Sequence, residues 1–201
     1  NDREESTLRE AAALIHELPL WIVEAHSMDA LDIQSSIRRM KLEHGVQLAG
    51  VDYQQNMKAL PGMDRRHEWA KESARLLKET SISQDISIVL GSQITRAAMS
   101  TSDNRPSKGM LRDAGEDDAD TVQLVWRPQE YGITHYEDGT ETHGTGTIIL
   151  DKNRHGPTGV VRLAWQGTCA RFLPLDNREE PKGYQQQNDR PTAPQPQHAP
   201  F

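Results

Sequence analysis

Asp52 closes the run V-Q-L-A-G-V-D-Y-Q at residues 46–54, where apolar strand formers give way to one acid and then to Tyr53 and Gln54. Val46, Leu48 and Val51 favour a buried strand, and His44–Gly45 stops the helix that precedes it. Ligands of parallel sheets sit just past the carboxyl ends of the strands, so Asp52 is expected to face a site. A carboxylate there can hold Mg²⁺ beside a nucleotide phosphate; the plainer reading is a strand that ends in a solvated acid. A second apolar run, Ile86 to Leu90, also ends in polar groups, Gly91, Ser92 and Gln93. Arg96, Arg105, Lys108 and Arg112 form a local positive cluster, suited to phosphate contacts or to a solvated turn. Lys152 and Arg154 lie in D-K-N-R-H-G-P-T, where Gly156 and Gly159 allow a tight turn and Pro157 fixes it. On their own these two cations are an ordinary exposed basic hairpin.

Other constellations are weaker. His135, His143 and His155 lack metal-ligand spacing and a Cys partner, which argues against zinc. Asp117, Asp118 and Asp120 read as a solvated acidic turn, and no Ser/His/Asp arrangement can be argued. The 201 residues carry 23 basic and 30 acidic side chains, net charge −7. That balance argues against coating nucleic acid through overall charge and leaves room for a local basic loop. The single Cys169 excludes an intramolecular disulfide and fits a reducing compartment. No apolar run is long enough to span a membrane, and the acidic N-terminus lacks the apolar core of a secretory signal. A mean hydropathy of −0.76 points to a part that is not packed.

The elements that must position these residues alternate. A helix is expected over residues 5–17, ended by Pro19, then a short strand Leu20–Val23. Ile33, Ile37 and Met40 put one apolar face on a helix from Ala30 to Glu43, with Gly45 as its stop. After the Val46 strand come a loop, a helix from Arg65 to Glu79 and the Ile86–Leu90 strand. Thr95 to Ala119 loses all periodicity, and a loop of that length is functional or disordered. Strands follow at Thr121–Trp126, Thr145–Leu150, Gly159–Trp165 and Thr168–Leu173, with a polar connection over 127–144. From Pro174 to residue 201 the chain turns to Pro, Gln, Asn and charge, a disordered tail. This order predicts an α/β fold, a mostly parallel sheet with antiparallel edge strands, in a domain over residues 1–173.

Four stretches then fall in a fixed order: V-D-Y-Q-Q at 51–55, V-L-G-S-Q-I-T-R at 89–96, R-P-S-K-G-M-L-R-D-A-G-E-D-D-A-D at 105–120, and D-K-N-R-H-G-P-T-G at 151–159, closed by R-F at 171–172. Over about residues 8–173 the chain resembles the C-terminal RecA-like ATPase domain of DnaB-type replicative DNA helicases. There the corresponding runs look like I-D-Y-L-Q, A-L-S-Q-L-x-R, R-P-x-x-x-D-L-R-E-S-G-x-I-E-Q-D-A-D and A-K-Q-R-N-G-P-T-G. P-L-W-I-V at 19–23 and I-R-R-M-K at 37–41 resemble the family's strand and helix before the acid-bearing strand.

The resemblance implies a RecA-like P-loop NTPase core that uses ATP and Mg²⁺ to unwind duplex DNA while translocating on single-stranded DNA. Asp52 matches the acid that holds Mg²⁺, usually through water. Gln93 matches a polar residue that senses the γ-phosphate; its plain alternative is a satisfied amide at a strand end. Arg105, Lys108, Arg112, Asp113 and Gly115 fall in the family's DNA-contacting loop. Lys152 and Arg154 match the pair that reaches the neighbouring subunit's nucleotide as an arginine finger. A homo-hexamer, a primase or helicase-loader partner, and a cytoplasmic, nucleoid-associated location with no membrane contact are implied with it.

The sequence also departs from that pattern. It holds no G-x-x-x-x-G-K-[ST] phosphate loop, so it reads as the C-terminal half of the ATPase core, not expected to hydrolyse ATP alone. The acidic loop is shorter than the family's, Ala114 stands for Ser, Lys108–Met110 replace an acid, Gln54 replaces Leu, and Asn56 stands for an apolar residue. Two alternatives remain: a non-catalytic RecA-like module that binds DNA or a helicase, and another RecA-like ATPase such as a recombinase or circadian-clock protein.

Overall fold

The computed structural model describes residues 2–24, 27–94, 104–111 and 115–175. Three helices, α1 (Asp2–His16), α2 (Ala30–His44) and α3 (Arg66–Gln84), accompany six strands. The strands are β1 (Leu48–Val51), β2 (Ser87–Leu90), β3 (Thr121–Trp126), β4 (Thr145–Asn153), β5 (Gly159–Gln166) and β6 (Arg171–Pro174).

Helix α2 starts where the sequence supplies a capping box. The Asp29 carboxylate accepts from the N–H groups of Leu31 (2.8 Å) and Asp32 (3.0 Å), and Asp32 accepts from the Asp29 N–H in return. It stops at Gly45, whose φ of 66° suits a residue without Cβ and whose N–H reaches the Lys41 carbonyl. The strand that follows pairs with β2 in parallel, Leu48 opposite Ser87 through Val51 opposite Leu90. Alternation then sorts the side chains. Ala49, Val51, Ile88 and Leu90 pack on a core built from Ala30, Ile33 and Ile37 of α2, Trp69, Ala70 and Leu77 of α3, and Met57, Leu60 and Ile86. On the opposite face Leu48 and Val89 are 63% and 61% exposed.

The remaining strands form a second sheet, antiparallel throughout, in the order β3-β4-β5-β6. Val122, Leu124 and Trp126 alternate inward and meet Ile149, with Tyr136 and Val160 against them. One register shift interrupts the β3–β4 ladder. Gln123 faces Leu150 but Val122 faces Lys152, so Asp151 is left over as a bulge. A bulge re-aims the residues beyond it. Here it puts Lys152, not Asp151, opposite Val122.

The α/β class holds, with parallel and antiparallel pairing both present, but the balance differs from expectation. Among the described residues parallel pairing joins β1 and β2 alone, and the antiparallel strands make a sheet of their own rather than an edge. Leu20–Val23 is not a strand. The segment faces β1 across a cleft of about 820 Å³ floored by Ile33, Ile37 and Met40 of α2, and Trp21 stacks on His44 at 4.6 Å. Its ladder bonds to β1 are not made, so Ile22 stays 84% exposed. Helix α3 runs to Gln84, past the expected Glu79, because Asp85 takes the left-handed conformation that ends it. Gly167–Cys169 is a 3₁₀ turn, which delays the last strand to Arg171. The polar connection over 127–144 holds a 3₁₀ turn at Pro128–Tyr131 and one bridge, His135 to Glu141. The expected tail beyond residue 175 lies outside the described residues, as does much of Thr95–Ala119.

Candidate nucleotide site and basic hairpin

Asp52 and Gln93 fall past neighbouring strand ends, as the strand order requires. Each follows the carboxyl end of one of two neighbouring parallel strands, β1 and β2. The Asp52–Tyr53 peptide is cis. Asp52 is exposed, and its carboxylate enters no hydrogen bond or ion pair among the described residues. Gln93 is exposed too, but its backbone is fixed: its N–H donates to Gln55 Oε1 at 3.0 Å and its carbonyl accepts from Gln55 Nε2.

A network of amides and one hydroxyl joins the two strand ends. Gln54, 1% exposed, sends its backbone N–H to the Gly91 carbonyl (2.8 Å) and its Nε2 to the Ala70 carbonyl on α3 (2.9 Å). Ser92 Oγ donates to Gln54 Oε1 and accepts from Gln55 Nε2. Gly91 N–H closes the set on the Val51 carbonyl at 3.0 Å. A Cβ at Gly91 would stand 3.3 Å from both Tyr53 Cβ and the Val51 carbonyl, so the approach of the two turns depends on a small residue there. Gln54, Gln55 and Ser92 were not among the expected site residues. Their signal was in the sequence as a polar pair after each apolar run, but which amide meets which hydroxyl is set by the strand register.

The carboxylate of Asp52 fits a hydrated Mg²⁺. Such an ion takes one or two carboxylates plus phosphate and keeps several waters, rather than an all-protein cage. No cluster of three or more His, Cys, Asp or Glu with metal-binding placement occurs among the described residues.

Lys152 and Arg154 lie elsewhere, on the hairpin between β4 and β5, and no hydrogen bond or ion pair joins them to Asp52 or Gln93 among the described residues. They turn instead to the acidic segment before β3. Lys152 Nζ donates to the carbonyls of Glu116 and Asp117, both at 2.8 Å. Arg154 donates from Nη2 to the Asp117 carbonyl (2.6 Å), and its Nη1 lies 3.5 Å from the Asp120 carboxylate. The Arg154 backbone N–H also reaches the Asp120 carbonyl at 2.9 Å. Lys78 of α3 forms the closer ion pair with Asp120. The bonded Lys78 ammonium, helped by Arg154 and His155, holds the Asp120 carboxyl below the usual range.

The residues expected in a DNA-contacting loop have different surroundings. Arg105 is half-buried, its guanidinium 5.7 Å over the Trp126 ring. Lys108 is exposed on the 3₁₀ turn Lys108–Leu111, with its backbone N–H bonded to the Asp151 carboxylate. Gly115 is buried at φ 79°, where an added Cβ would sit 2.3 Å from Ala74 Cβ. It is therefore a packing point on α3 and not an exposed backbone cradle. Arg96, Arg112 and Asp113 lie outside the described residues.

Comparison with known proteins shows what the chain is similar to. The family model for the DnaB-like helicase C terminal domain matches residues 1–174. The replicative DNA helicase DnaB of Haemophilus influenzae is 33% identical over 168 residues, 82% of this chain and 34% of that protein. The one from Leifsonia xyli subsp. xyli is 29% identical over 177 residues, 87% of this chain and 38% of the relative. The chain thus spans between a third and two-fifths of these relatives. A solved DnaB-like replicative helicase, described with its interactions with primase, superposes with a TM-score of 0.75 at 26% identity, covering 85% of this chain and 42% of that one. A second solved structure, of an ATPase domain, gives the same TM-score and identity and is covered to 60%. With the family model spanning nearly all of its described residues, this chain belongs to the DnaB-like helicase C-terminal domain family.

Proposed function

We propose that the chain works as part of the ATP-driven motor of a replicative DNA helicase, translocating on single-stranded DNA to unwind duplex. The observation that supports this reading is the paired ending of β1 and β2, with the unengaged carboxylate of Asp52 past one strand end and Gln93 past the other. Asp52 would hold Mg²⁺, and Gln93 would sense the γ-phosphate from the neighbouring strand end. ATP with Mg²⁺ supplies the transferable phosphoryl group and neutralises part of its charge. Gln54, Gln55 and Ser92 keep the two turns in register, so that a shift at one is felt at the other.

Lys152 and Arg154 would act on the nucleotide of a neighbouring copy, stabilising charge on the transferring phosphoryl group. That no bond joins them to Asp52 among the described residues supports a role in trans, and membership in the family supports a homo-hexamer. Arg105 and Lys108 would follow one DNA strand through its phosphates, with Arg112 and Asp113 in the same loop and Gly115 anchoring it. A primase or loader would dock on the assembled ring, in the cytoplasm near the nucleoid.

The 201 residues by themselves are proposed not to turn over ATP, since their sequence holds no phosphate loop. The test is ATP turnover by this chain with and without Mg²⁺, and by Asp52→Ala. Background rates in every case are expected; a clear Mg²⁺-dependent rate that disappears in Asp52→Ala would show that the chain carries its own phosphate cradle. A non-catalytic DNA- or helicase-binding module is the second reading, favoured by that same missing loop; binding of single-stranded DNA by a chain that no active helicase assembly incorporates would select it.

A further inference from the structure

Two described segments before β3, 104–111 and 115–120, are each tied to the β4–β5 hairpin. In the first, the Lys108 backbone N–H binds the carboxylate of Asp151, the bulged residue of β4. In the second, the Glu116 and Asp117 carbonyls take Lys152 Nζ, and Asp117 and Asp120 take Arg154. The bulge makes this possible. An unbroken ladder would set Asp151 opposite Val122 and turn Lys152 away; the shift exchanges them, sending the carboxylate to Lys108 and the ammonium to the carbonyls. Asp120 is shared: it pairs with Lys78 on α3 and with Arg154 on the hairpin, and it is the last residue before β3 begins at Thr121.

We propose that Asp120 is a positioning residue that brackets Arg154 against residues 115–120, so that nucleic acid held at the Lys108 turn re-sets the hairpin bearing Lys152 and Arg154. The physical ground is that these groups cannot move independently. Two of the Lys152 donors and two Arg154 nitrogens are committed to the backbone and side chain of one short segment, and charge-assisted bonds to carbonyls are lost together if that segment shifts. The Lys78 pair fixes Asp120 to α3, so the bracket has a rigid base. A phosphate drawn to Lys108 would pull on the same turn that Asp151 holds. The hairpin would then receive the displacement through two routes, Asp151 and the Glu116–Asp120 segment.

This inference rests on the reading of residues 104–120 as a DNA contact, and the experiment separates the two. An environment-sensitive fluorophore is placed at Thr158→Cys, on the exposed hairpin, in the full 201-residue chain with Cys169→Ser. An oligo(dT) carrying a second dye is titrated in, with its anisotropy and the hairpin fluorescence followed together. The expected result is a hairpin signal that tracks the binding curve, is lost in Asp120→Asn at unchanged oligonucleotide affinity, and is partly restored in Asp120→Glu. Arg154→Gln, at the exposed other end of the same bond, should lose the signal as well, and it carries the test if Asp120→Asn fails to fold. A plain structural role for Asp120 would lower the melting temperature and leave the hairpin response in place. Binding with no hairpin response, or with a response that survives both variants, overturns the bracket alone. Absence of oligonucleotide binding overturns the DNA-contact reading and the bracket with it.

Discussion

Gln54 stands where the family pattern has Leu, yet it is buried, and its amide joins β1 to β2 and α3. Its Nε2 is bonded to the Ala70 carbonyl and its Oε1 to Ser92 Oγ. Removing one partner of a buried hydrogen bond costs about 1–3 kcal/mol, because the group left behind is desolvated and unmet. Gln54→Leu is therefore expected to destabilise the chain by about that amount in urea unfolding. Adding Ser92→Ala should cost less than the sum of the single changes, since it removes the hydroxyl that Gln54→Leu strands. Strict additivity would show that the two side chains are not coupled. A second residue-scale case is Asp138, whose carboxylate accepts from both the N–H and the hydroxyl of Thr140 and pairs with Arg162 at 2.9 Å. The Thr140 hydroxyl bond, with Arg162 beside it, pulls the Asp138 carboxyl down from 3.8 to about 2. A depressed acid stabilises the fold fully above its unfolded value and loses that contribution as pH falls through the folded one. Unfolding midpoints should thus drop between pH ~4 and pH ~2, less steeply in Asp138→Asn and less in high salt, because the group is partly exposed. Coincident acid limbs for the two proteins would remove Asp138 from the account.

At the scale of elements, the sequence displayed what depends on local chemistry and hid what depends on pairing. The stop at Gly45 and the polar ends of β1 and β2 were legible, because each is a residue type at a fixed offset. Leu20–Val23 was misread as a strand. Its apolar composition suits one, but a strand also needs a neighbour's ladder, and β1 lies across a cleft from it. The partners of Lys152 and Arg154 were hidden for a different reason: three of the four hydrogen bonds their side chains donate end on backbone carbonyls, which no residue type advertises. The bulge at Asp151, which aims Lys152, is likewise a property of two strands together. Gly115 shows the same limit. The resemblance put it in a DNA-contacting loop, but nothing in the sequence showed its buried approach to Ala74 at positive φ. Gly115→Ala is expected to destabilise by about 1–3 kcal/mol, the range for an L-residue forced into that conformation, with the clash on α3 added. Gly109→Ala, with only Ser107 Oγ at 3.8 Å from its added Cβ, should be near neutral. Equal melting temperatures for the two variants would mean that the loop does not seat on α3 in solution.

For the molecule as a whole, the charge distribution would make the proposed nucleic-acid binding local. A net charge of −7 repels a polyanion at long range, so association must come from a few cations close to phosphate and from loss of the counterions they displace. Lys108, proposed for this role, is exposed on a turn anchored to β4, and half-buried Arg105 lies over the Trp126 ring of the second core. The two should therefore behave differently when removed. Lys108→Ala should weaken oligo(dT) binding evenly across sequences and lower the slope of log affinity against log salt by about 0.7, the share of one phosphate contact on a single strand. It should leave the unfolding midpoint unchanged. Arg105→Ala should lower the slope by a similar amount and also reduce stability, because it strips a guanidinium from the Trp126 ring. Lowering the salt strengthens repulsion from the acidic remainder together with attraction to these cations, so the wild-type slope should flatten below about 0.1 M. A slope that is unaffected by Lys108→Ala would move the DNA path off the 104–111 turn and onto another face of the second sheet.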